Sequence, residues 1–380
     1  MSFRYASGIV KPGFNSLAAP TLTGYAYNLY GWGANSNGQL GLGNTTSYSS
    51  PKQVGSLTGW SQVQATTVDS SFALKTDGTM WSWGNNNNGQ LGLGNRTNYS
   101  SPKQIGALTS WYLLSTSFQG FMAAIKTDGT LWTWGVNTYG QLGLGNTTSY
   151  SSPKQVGSLT TWAKVAQGAG HTMAIKTDGT LWAWGRNQAT IPSGQLGLGN
   201  STNYSSPMQV GALSNWLNVA CGFYHTLATK TDGTFWSWGA THGSGGLGLG
   251  NNNAYSSPKQ VGILTDWSSP SAGYYNSFAI KTNGTIWSWG EGYMGSLGHN
   301  NRTYYSSPKQ VGALTTWSMI DAGARQTAAI STNGSLWMWG INSSGQLGSG
   351  NQTNYSSPKQ VGSLTNWLTV SAGYHTLAAG

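Results

Sequence analysis

Charged residues, cysteine and glutamate are scarce in this sequence. Asp, Glu, Lys and Arg together make up 7% of its 380 residues, against about 25% in an average soluble domain. Cys221 is the one cysteine, so an intrachain disulfide framework is excluded. Glu291 is the one glutamate. Helical bundles and coiled coils depend on Ala, Glu, Lys and Leu at helical spacing, and this composition excludes them.

Long apolar runs are also missing. No window approaches the roughly 18 consecutive apolar residues of a membrane-spanning helix. The first residues, from Met1 to Tyr5, lack the uninterrupted apolar segment of a secretory signal. We therefore expect no membrane span and no signal peptide.

The sequence is rich in glycine and tryptophan, with 56 and 20 copies respectively. This aromatic content excludes a simply disordered chain, and 11 scattered prolines exclude a collagen triple helix. The net charge of +10 comes from 18 basic and 8 acidic residues spread thinly along the chain. It indicates a shortage of acid rather than a basic patch. An all-β, turn-rich fold is favoured.

One unit recurs seven times, at steps of 50 to 54 residues. Each copy has a Trp-Gly pair, a Gly-rich segment, a Tyr-Ser-Ser-Pro-x-Gln segment and a Leu-x-x-Trp element. The Trp-Gly pairs begin at Trp32, Trp83, Trp134, Trp184, Trp238, Trp289 and Trp339. The Leu-x-x-Trp elements end at Trp60, Trp111, Trp162, Trp216, Trp267, Trp317 and Trp367.

Each unit reads as short strands joined by turns. Six copies carry Asp-Gly or Asn-Gly between alternating apolar runs, as at Asp77 and Asn283; this pattern predicts a β-hairpin with a type I′ turn. The Ser-Ser-Pro segment predicts an edge strand, because proline cannot donate a hydrogen bond to a central ladder.

The two ends of the chain carry complementary halves of one repeat. The last copy stops at Ala379, where its Asp-Gly hairpin would begin, and residues 29–33 supply the missing Trp-Gly strand. A linear solenoid needs capping repeats instead. The arrangement therefore predicts a ring of seven blades, a β-propeller whose N- and C-terminal strands pair in one mixed blade.

The unit Thr-x-Gly-x-Leu-Trp-x-Trp-Gly-x-Asn-x-x-Gly-Gln-Leu-Gly-Leu-Gly, with a later Gly-x-x-His-Thr, resembles the regulator of chromosome condensation repeat. The resemblance covers residues 21–380 and implies a seven-bladed propeller there, in a bacterial or phage member. Residues 1–20 form a separate non-repeat arm. Fold implies function only weakly.

Residues for catalysis are not apparent. The Gly-rich segments lack the Lys-Ser/Thr of a phosphate-binding loop, no neighbouring pair of carboxylates offers general acid–base chemistry, and no nucleophile elbow precedes a helix. We therefore expect no enzyme activity, no catalytic residues and no cofactor.

The histidines do not form an obvious metal site. His171, His225 and His375 share one repeat position, and the equivalents in the other copies are Asp69, Gly120, Asn276 and Gln326. These residues are not a ligand set, and a ring would separate them. The family resemblance implies a packing or hydrogen-bonding role instead. His242 and His299 read as surface loop residues, and we expect no metal.

The lysines form two series at fixed repeat positions. One series is Lys52, Lys103, Lys154, Lys259, Lys309 and Lys359; the other is Lys75, Lys126, Lys176, Lys230 and Lys281. We expect both to be solubilising surface charge, with the second series paired to the nearby turn acids. Spaced rings of charge do not match a phosphate track, which disfavours nucleic acid as a partner.

Residues that break the repeat are the candidates for partner binding, because loops on a rigid scaffold commonly carry recognition. Drift in an unconstrained loop is the alternative. The candidates are Arg186, Gln188 and Ile191 in and beside an insertion, Tyr293, Met294, Arg325, and Phe3, Arg4, Tyr5 and Phe14 in the arm.

The functional hypothesis is a non-enzymatic binding or structural propeller. The similarity of the repeats and the short arm favour a virion- or particle-associated surface protein. The arm would anchor it, the alternative being that the arm simply covers the first blade, and one face would recognise another virion protein or a host surface receptor. Its location would be the particle surface, or otherwise the cytoplasm. The alternatives are a guanine-nucleotide exchange factor, although only a short insertion stands where that branch has a wedge, and a propeller that inhibits an enzyme.

Overall fold

The computed structural model describes residues 27–188 and 193–380. Their 28 strands form seven four-stranded antiparallel sheets arranged as the blades of a propeller. This confirms the predicted all-β fold. One short 3-10 turn, Tyr293–Gly295, is the single helical element among the described residues.

Six blades each use four consecutive strands. Blade 1 contains β3 (Trp60–Ala65), β4 (Ser70–Lys75), β5 (Met80–Gly84) and β6 (Tyr99–Gln104). Blade 2 contains β7 (Trp111–Thr116), β8 (Phe121–Lys126), β9 (Leu131–Gly135) and β10 (Tyr150–Gln155). Blade 3 contains β11 (Trp162–Gln167), β12 (His171–Lys176), β13 (Leu181–Gly185) and β14 (Tyr204–Gln209).

The next three blades follow the same plan. Blade 4 contains β15 (Trp216–Cys221), β16 (His225–Lys230), β17 (Phe235–Gly239) and β18 (Tyr255–Gln260). Blade 5 contains β19 (Trp267–Ala272), β20 (Asn276–Lys281), β21 (Ile286–Gly290) and β22 (Tyr305–Gln310). Blade 6 contains β23 (Trp317–Ala322), β24 (Gln326–Ser331), β25 (Leu336–Gly340) and β26 (Tyr355–Gln360).

The seventh sheet, the closing blade, joins both ends of the repeat region. It combines β1 (Asn28–Gly33) and β2 (Tyr48–Thr58) with β27 (Thr369–Ala372) and β28 (His375–Ala379), in the order β2-β1-β28-β27. Strands β1 and β28 pair in antiparallel register from Leu29 opposite Ala379 to Gly33 opposite His375. The predicted mixed blade is confirmed.

The Asp-Gly hairpins differ from the predicted turn type. Gly78 adopts φ 77° while Asp77 stays out of the left-handed region, and the other five hairpins repeat this. A type I′ turn needs positive φ at both central residues, so that prediction is wrong; the observed three-residue loop places only glycine there. The Asp77 carboxylate instead accepts bonds from the backbone N–H (2.9 Å) and hydroxyl (2.6 Å) of Thr79.

The chain direction gives the ring two faces. On one face, which we call the loop face, lie the loops from each first strand to the second and from each third strand to the fourth. The opposite turn face carries the Asp-Gly hairpins and the connections between blades. The Tyr-Ser-Ser-Pro strands are the outer edges of their sheets, as predicted.

The hydrophobic core lies between neighbouring blades. Between blades 2 and 3, for example, Ile125 and Leu131 pack against Val165 and Trp184. At the ring axis the first strands have free edges, which in other sheets can recruit further chains. Here side chains of the neighbouring blade bond to these edges: the Ala65 amide donates to Ser371 Oγ at 3.0 Å.

A hydrogen bond from a tryptophan indole joins each blade to the preceding one, and we call this bond the indole clasp. The Nε1–H of Trp238 donates to the backbone carbonyl of Gln195 in the preceding blade, at 3.0 Å. All seven Trp-Gly tryptophans make the same bond, at 2.8 to 3.0 Å, and these are Trp32, Trp83, Trp134, Trp184, Trp238, Trp289 and Trp339. Six of the seven accepting carbonyls also receive a Ser or Thr hydroxyl, as from Thr226 at 2.9 Å.

The second lysine series corrects the expectation of surface charge. Lys126, Lys230 and Lys281 are buried. The ammonium of Lys230 lies 3.7 Å from the ring centroid of Trp236 and 4.8 Å from that of Trp216. Among the described residues, the one pair with a turn acid in this series is Lys75 with Asp77, at 3.4 Å. Cation–π attraction to two tryptophans, rather than local ion pairing, holds most of these lysines.

Three buried histidines link neighbouring blades through side-chain hydrogen bonds. His225 Nε2 lies 2.9 Å from Ser277 Oγ of the next blade, and His375 Nε2 lies 2.6 Å from Ser71 Oγ. Burial lowers the pKa of His171 to about 3, of His225 to about 4 and of His375 to about 3. The expected packing and hydrogen-bonding role fits this geometry.

Two of the histidine equivalents expected from sequence are wrong. Strand pairing places Ser70 and Phe121 at the histidine position, opposite Gly84 and Gly135, where Asp69 and Gly120 were expected. The preceding loops of blades 1 and 2 are one residue longer than that of blade 3, which shifts the alignment. His299 is also half-buried rather than a surface residue, and bonds to Ser288 Oγ at 2.9 Å.

The indole clasp predicts which glycines cannot be replaced. Gly197 and Gly211 both have left-handed backbones (φ 74° and 63°), but a Cβ at Gly197 would lie 2.7 Å from Trp238 Nε1, while one at Gly211 meets nothing within 4 Å. Gly211→Ala should cost about 1–2 kcal/mol for backbone strain alone. Gly197→Ala should cost about 1–3 kcal/mol more through overpacking. Urea unfolding followed by tryptophan fluorescence measures both, and equal losses would contradict the clasp.

The neutral histidines predict loss of stability in acid. Their folded pKa values lie below the ordinary 6.5, so the stability they contribute is complete above pH 6.5 and falls as the pH drops from there toward 4 and 3. At pH 5 the loss should reach about 2 kcal/mol per histidine. Thermal unfolding at pH 7.5 and 5.0 checks this.

The control for that measurement is His171→Gln combined with His225→Gln and His375→Gln. Glutamine already stands at this position as Gln326 in blade 6. The triple variant should lose much less of its melting temperature between the two pH values. A drop as large as that of the unsubstituted protein would show that other groups cause the acid sensitivity.

Candidate functional site

Residues that differ between blades gather on the loop face. The residue just before each second strand differs in kind around the ring: Asp69, Gly120, Gly170, Tyr224, Tyr275, Arg325 and Tyr374. The residue just after each third strand varies as well: Ala34, Asn85, Val136, Arg186, Ala240, Glu291 and Ile341. The hairpins and blade connections of the turn face are nearly uniform by comparison.

An aromatic platform occupies the centre of the loop face, on loops of blades 2, 4 and 5. The rings of Phe223 and Tyr274 lie 4.0 Å apart, and Phe118 lies 5.9 Å and 6.1 Å from them. Tyr275 packs edge-on against Tyr274 at 4.7 Å. Burial raises the pKa of Tyr275 to about 12, so its phenol is neutral in any ordinary buffer.

A ladder of stacked rings extends this platform outward. His242 lies between Tyr224 and Tyr275, with centroids 4.9 Å and 4.8 Å away. The Arg186 guanidinium continues the ladder, 5.3 Å from the ring of Tyr224 and 4.8 Å from that of Tyr139. Arg186 Nε also donates to the Gln188 carbonyl at 2.6 Å. A guanidinium fixed in this way keeps its outer N–H groups available.

A second cation sits at another edge of the same face. The Arg325 guanidinium lies 4.6 Å from the ring of Tyr293. Burial raises the pKa of Glu291, which the nearby Arg325 charge opposes in part. Met294, in the short helical turn, has a left-handed backbone with φ 54°.

A cavity of about 400 Å³ opens on the loop face over the closing blade. Asp69, Tyr274, Arg325 and Tyr374 contribute to its walls. A smaller cavity of about 80 Å³ lies on the ring axis, where short side chains such as Ala166 and Ala272 line it. The larger cavity has room for a side chain of a partner.

The described residues contain no group of three or more His, Cys, Asp or Glu side chains placed to hold a metal ion. Cys221 is a free, buried thiol whose pKa burial raises. No helix in the described ranges has the length and apolarity for a membrane crossing.

The structure places the predicted binding residues as follows. Five of these residues belong to loops of the loop face: Arg186, Gln188, Tyr293, Met294 and Arg325. The other five lie outside the described residues: Ile191, and Phe3, Arg4, Tyr5 and Phe14 of the N-terminal arm. The arm itself, residues 1–20, also lies outside them.

Sequence reasoning missed the aromatic platform and Asp69. Phe118, Phe223, Tyr274 and Tyr275 looked like ordinary repeat variants. Comparing the first-to-second-strand loops of the seven blades would have exposed the difference, but only Arg325 was singled out in these loops. The missed signal was variation among equivalent loops, rather than a motif.

Comparison with known proteins supports the family resemblance. The model of the RCC1-like domain matches residues 119–379, and that of the regulator of chromosome condensation (RCC1) repeat matches residues 28–67 and 77–112. The ultraviolet-B receptor UVR8 of Arabidopsis thaliana is 32% identical over 275 residues, which cover 70% of this chain and 61% of that protein. The human E3 ubiquitin-protein ligase HERC2 is 28% identical over 292 residues, covering 74% of this chain and 6% of the ligase.

The matched region thus spans less than two thirds of the length of these curated relatives. Among solved structures, Prp20p of Saccharomyces cerevisiae superposes with a TM-score of 0.80 at 20% identity, covering 94% of this chain and 92% of that one. Human WBSCR16 superposes with a TM-score of 0.82 at 20% identity, covering 94% and 99%. These structural likenesses concern the fold alone. The family models, with the seven blades, show that the chain belongs to the regulator of chromosome condensation family of β-propellers.

Proposed function

We propose that this protein is a non-enzymatic binding propeller that recognises a protein partner through its loop face. The observation that carries the proposal is the distribution of variation among the seven blades. The turn face and the outer strands repeat nearly the same residues seven times. On the loop face, by contrast, the first-to-second-strand loops and the first residues after the third strands bring unlike residues together, although the Gly-Gln-Leu-Gly segments there are nearly uniform. Structural repetition alone does not require that difference between the faces.

The chemistry of the loop face suits a protein interface. Tyrosine and arginine are enriched among the residues that dominate binding energy, and they act best in packed clusters. The ladder of Tyr224, His242 and Tyr275 is such a cluster, with Arg186 fixed at its end. Rings held by their neighbours lose little conformational entropy when a partner covers them.

Relatives offer a parallel. The yeast Prp20p structure is described together with its binding properties to Gsp1p and histones, and a second structure of the same protein, yeast RCC1 (Prp20), shows Kap60 bound to it. That protein binds other proteins, and we propose the same class of partner here. The alternative function, a guanine-nucleotide exchange factor, differs in which partner is bound. Capture of a small GTPase by this protein, with accelerated release of its nucleotide, would favour that alternative.

We further propose that the protein is a virion- or particle-associated surface component, displayed on the particle and attached through residues 1–20. The support is the near identity of the repeats, which indicates recent amplification, together with the short non-repeat arm. Mass spectrometry of particles purified from the producing host should detect this polypeptide. Particles that lack it would contradict this assignment and leave the binding propeller standing.

Paired substitutions on opposite faces test the loop face. Tyr224→Ser with Tyr274→Ser removes one ring of the ladder and one of the platform, so capture of native partners by the immobilised full chain should fall at least tenfold. The matched control is Leu213→Ser with Leu264→Ser on the turn face, where these side chains are 48% and 46% exposed. Quantitative mass spectrometry of the captured proteins gives the readout, with melting temperatures to confirm folding. Loss of capture in the control alone would overturn the proposal.

A further inference from the structure

The cavity of about 400 Å³ over the closing blade is walled by unlike blades. Asp69 comes from blade 1, Tyr274 from blade 5, Arg325 from blade 6 and Tyr374 from the closing blade. Ser36 and Ser344 add hydroxyl groups. Tyr374 is 46% exposed, so its ring is open to a ligand.

Asp69 stands where the backbone favours glycine. Its φ is 58°, a left-handed conformation, and the equivalent residue of blade 2 is Gly120 with φ 77°. The Asp69 carbonyl accepts a bond from the Asn85 amide at 2.8 Å, which holds this conformation. Strained non-glycine residues persist where the surroundings fix them, and they cluster at functional sites. An aspartate kept here at a cost in stability points to a use for its carboxylate.

That carboxylate is oriented, and it forms no ion pair with a cation among the described residues. Asn37 Nδ2 donates to one oxygen at 3.1 Å and Gln39 Nε2 to the other at 3.0 Å. Ion pairs between described residues join Lys75 to Asp77 and Lys281 to Asp266, and none of them involves Asp69. Burial raises the pKa of Asp69, which reflects the cost of keeping this negative charge away from water. A cationic ligand would offset that cost.

The remaining walls fit the same ligand. Tyr274 and Tyr374 present aromatic rings, which attract cations and pack against aliphatic stems. Arg325 is the opposing charge, and its guanidinium is engaged by the Tyr293 ring at 4.6 Å. The Arg325 charge would repel a cationic ligand. Removing that charge should therefore strengthen the binding of such a ligand.

We propose that this cavity is the anchor site of the loop face and takes a basic side chain, a guanidinium or an ammonium, from the protein partner. The proposal rests on the proposed function and names the partner chemistry at one place on that face. Asp69 is the recognition residue, and Arg325 sets the limit on how much positive charge the site accepts.

Small capped amino acids test the site without the natural partner. Nα-acetyl-arginine amide carries only the basic side chain, and Nα-acetyl-glutamate amide carries only an acidic one. Ligand-observed NMR titration of the full chain should show binding of the arginine compound and none of the glutamate compound up to the same concentration. Asp69→Asn should weaken the arginine compound at least fivefold, whereas Arg325→Gln should strengthen it.

The outcomes separate the possible ligands. Binding of the glutamate compound that Asp69→Asn strengthens and Arg325→Gln weakens would mean an anionic ligand and overturn the proposal. Weakening of the arginine compound by both variants would mean that Arg325 helps to hold it, and no binding of the arginine compound would mean no such site; either result also overturns the proposal.

A stability measurement tests whether Asp69 has only a structural role. Asp69→Gly copies the residue of blade 2, so it should melt at a higher temperature than the unsubstituted protein while losing the arginine compound. A lower melting temperature would show that Asp69 serves the fold. If Tyr224→Ser with Tyr274→Ser abolishes partner capture but Asp69→Asn leaves it unchanged, the loop face still binds and the assignment of this anchor is wrong.

Discussion

The ring depends on one hydrogen bond, made once per blade, from a tryptophan indole to a backbone carbonyl of the preceding blade. The bond is buried, so losing either member would strand a polar group in the core. It also fixes the nearby glycine, because a side chain there would meet the indole nitrogen. Seven of the 20 tryptophans and seven of the 56 glycines therefore follow from a single contact between blades. Each blade is held by the sheet before it, and the closing blade completes the circle.

Much of the architecture was readable from the sequence. The spacing of the Trp-Gly pairs predicts the blades, and the complementary halves at residues 29–33 and near Ala379 predict the closure. The turn type at Asp77 was wrong, because Asp-Gly serves two hairpin geometries and the sequence does not separate them. The setting of Lys230 was also missed. Its two tryptophans come from different strands, and a neighbouring acid looked like the simpler partner.

The loop face was harder to predict for a different reason. Its residues are close in space because separate blades carry them to one end of the ring axis, as Phe118 and Tyr274 show. No local sequence pattern indicates that residues of separate blades are close in space. What the sequence does report is contrast, since a repeat protein supplies its own comparison set of seven copies. Positions that stay alike define the scaffold, and positions that diverge define a surface where the blades have separate roles.

The closing blade has a topological consequence. Strands β1 and β28 lie side by side, and the Asn28 amide donates to the Gly380 carbonyl at 3.1 Å on the turn face. An Asp-Gly or Asn-Gly turn joins the equivalent strands in each of the other six blades. The described ring therefore lacks a hairpin at this one position, and each of the other six hairpins is an alternative place to open it. Circular permutants opened at a different hairpin should build the same ring with the same loop face.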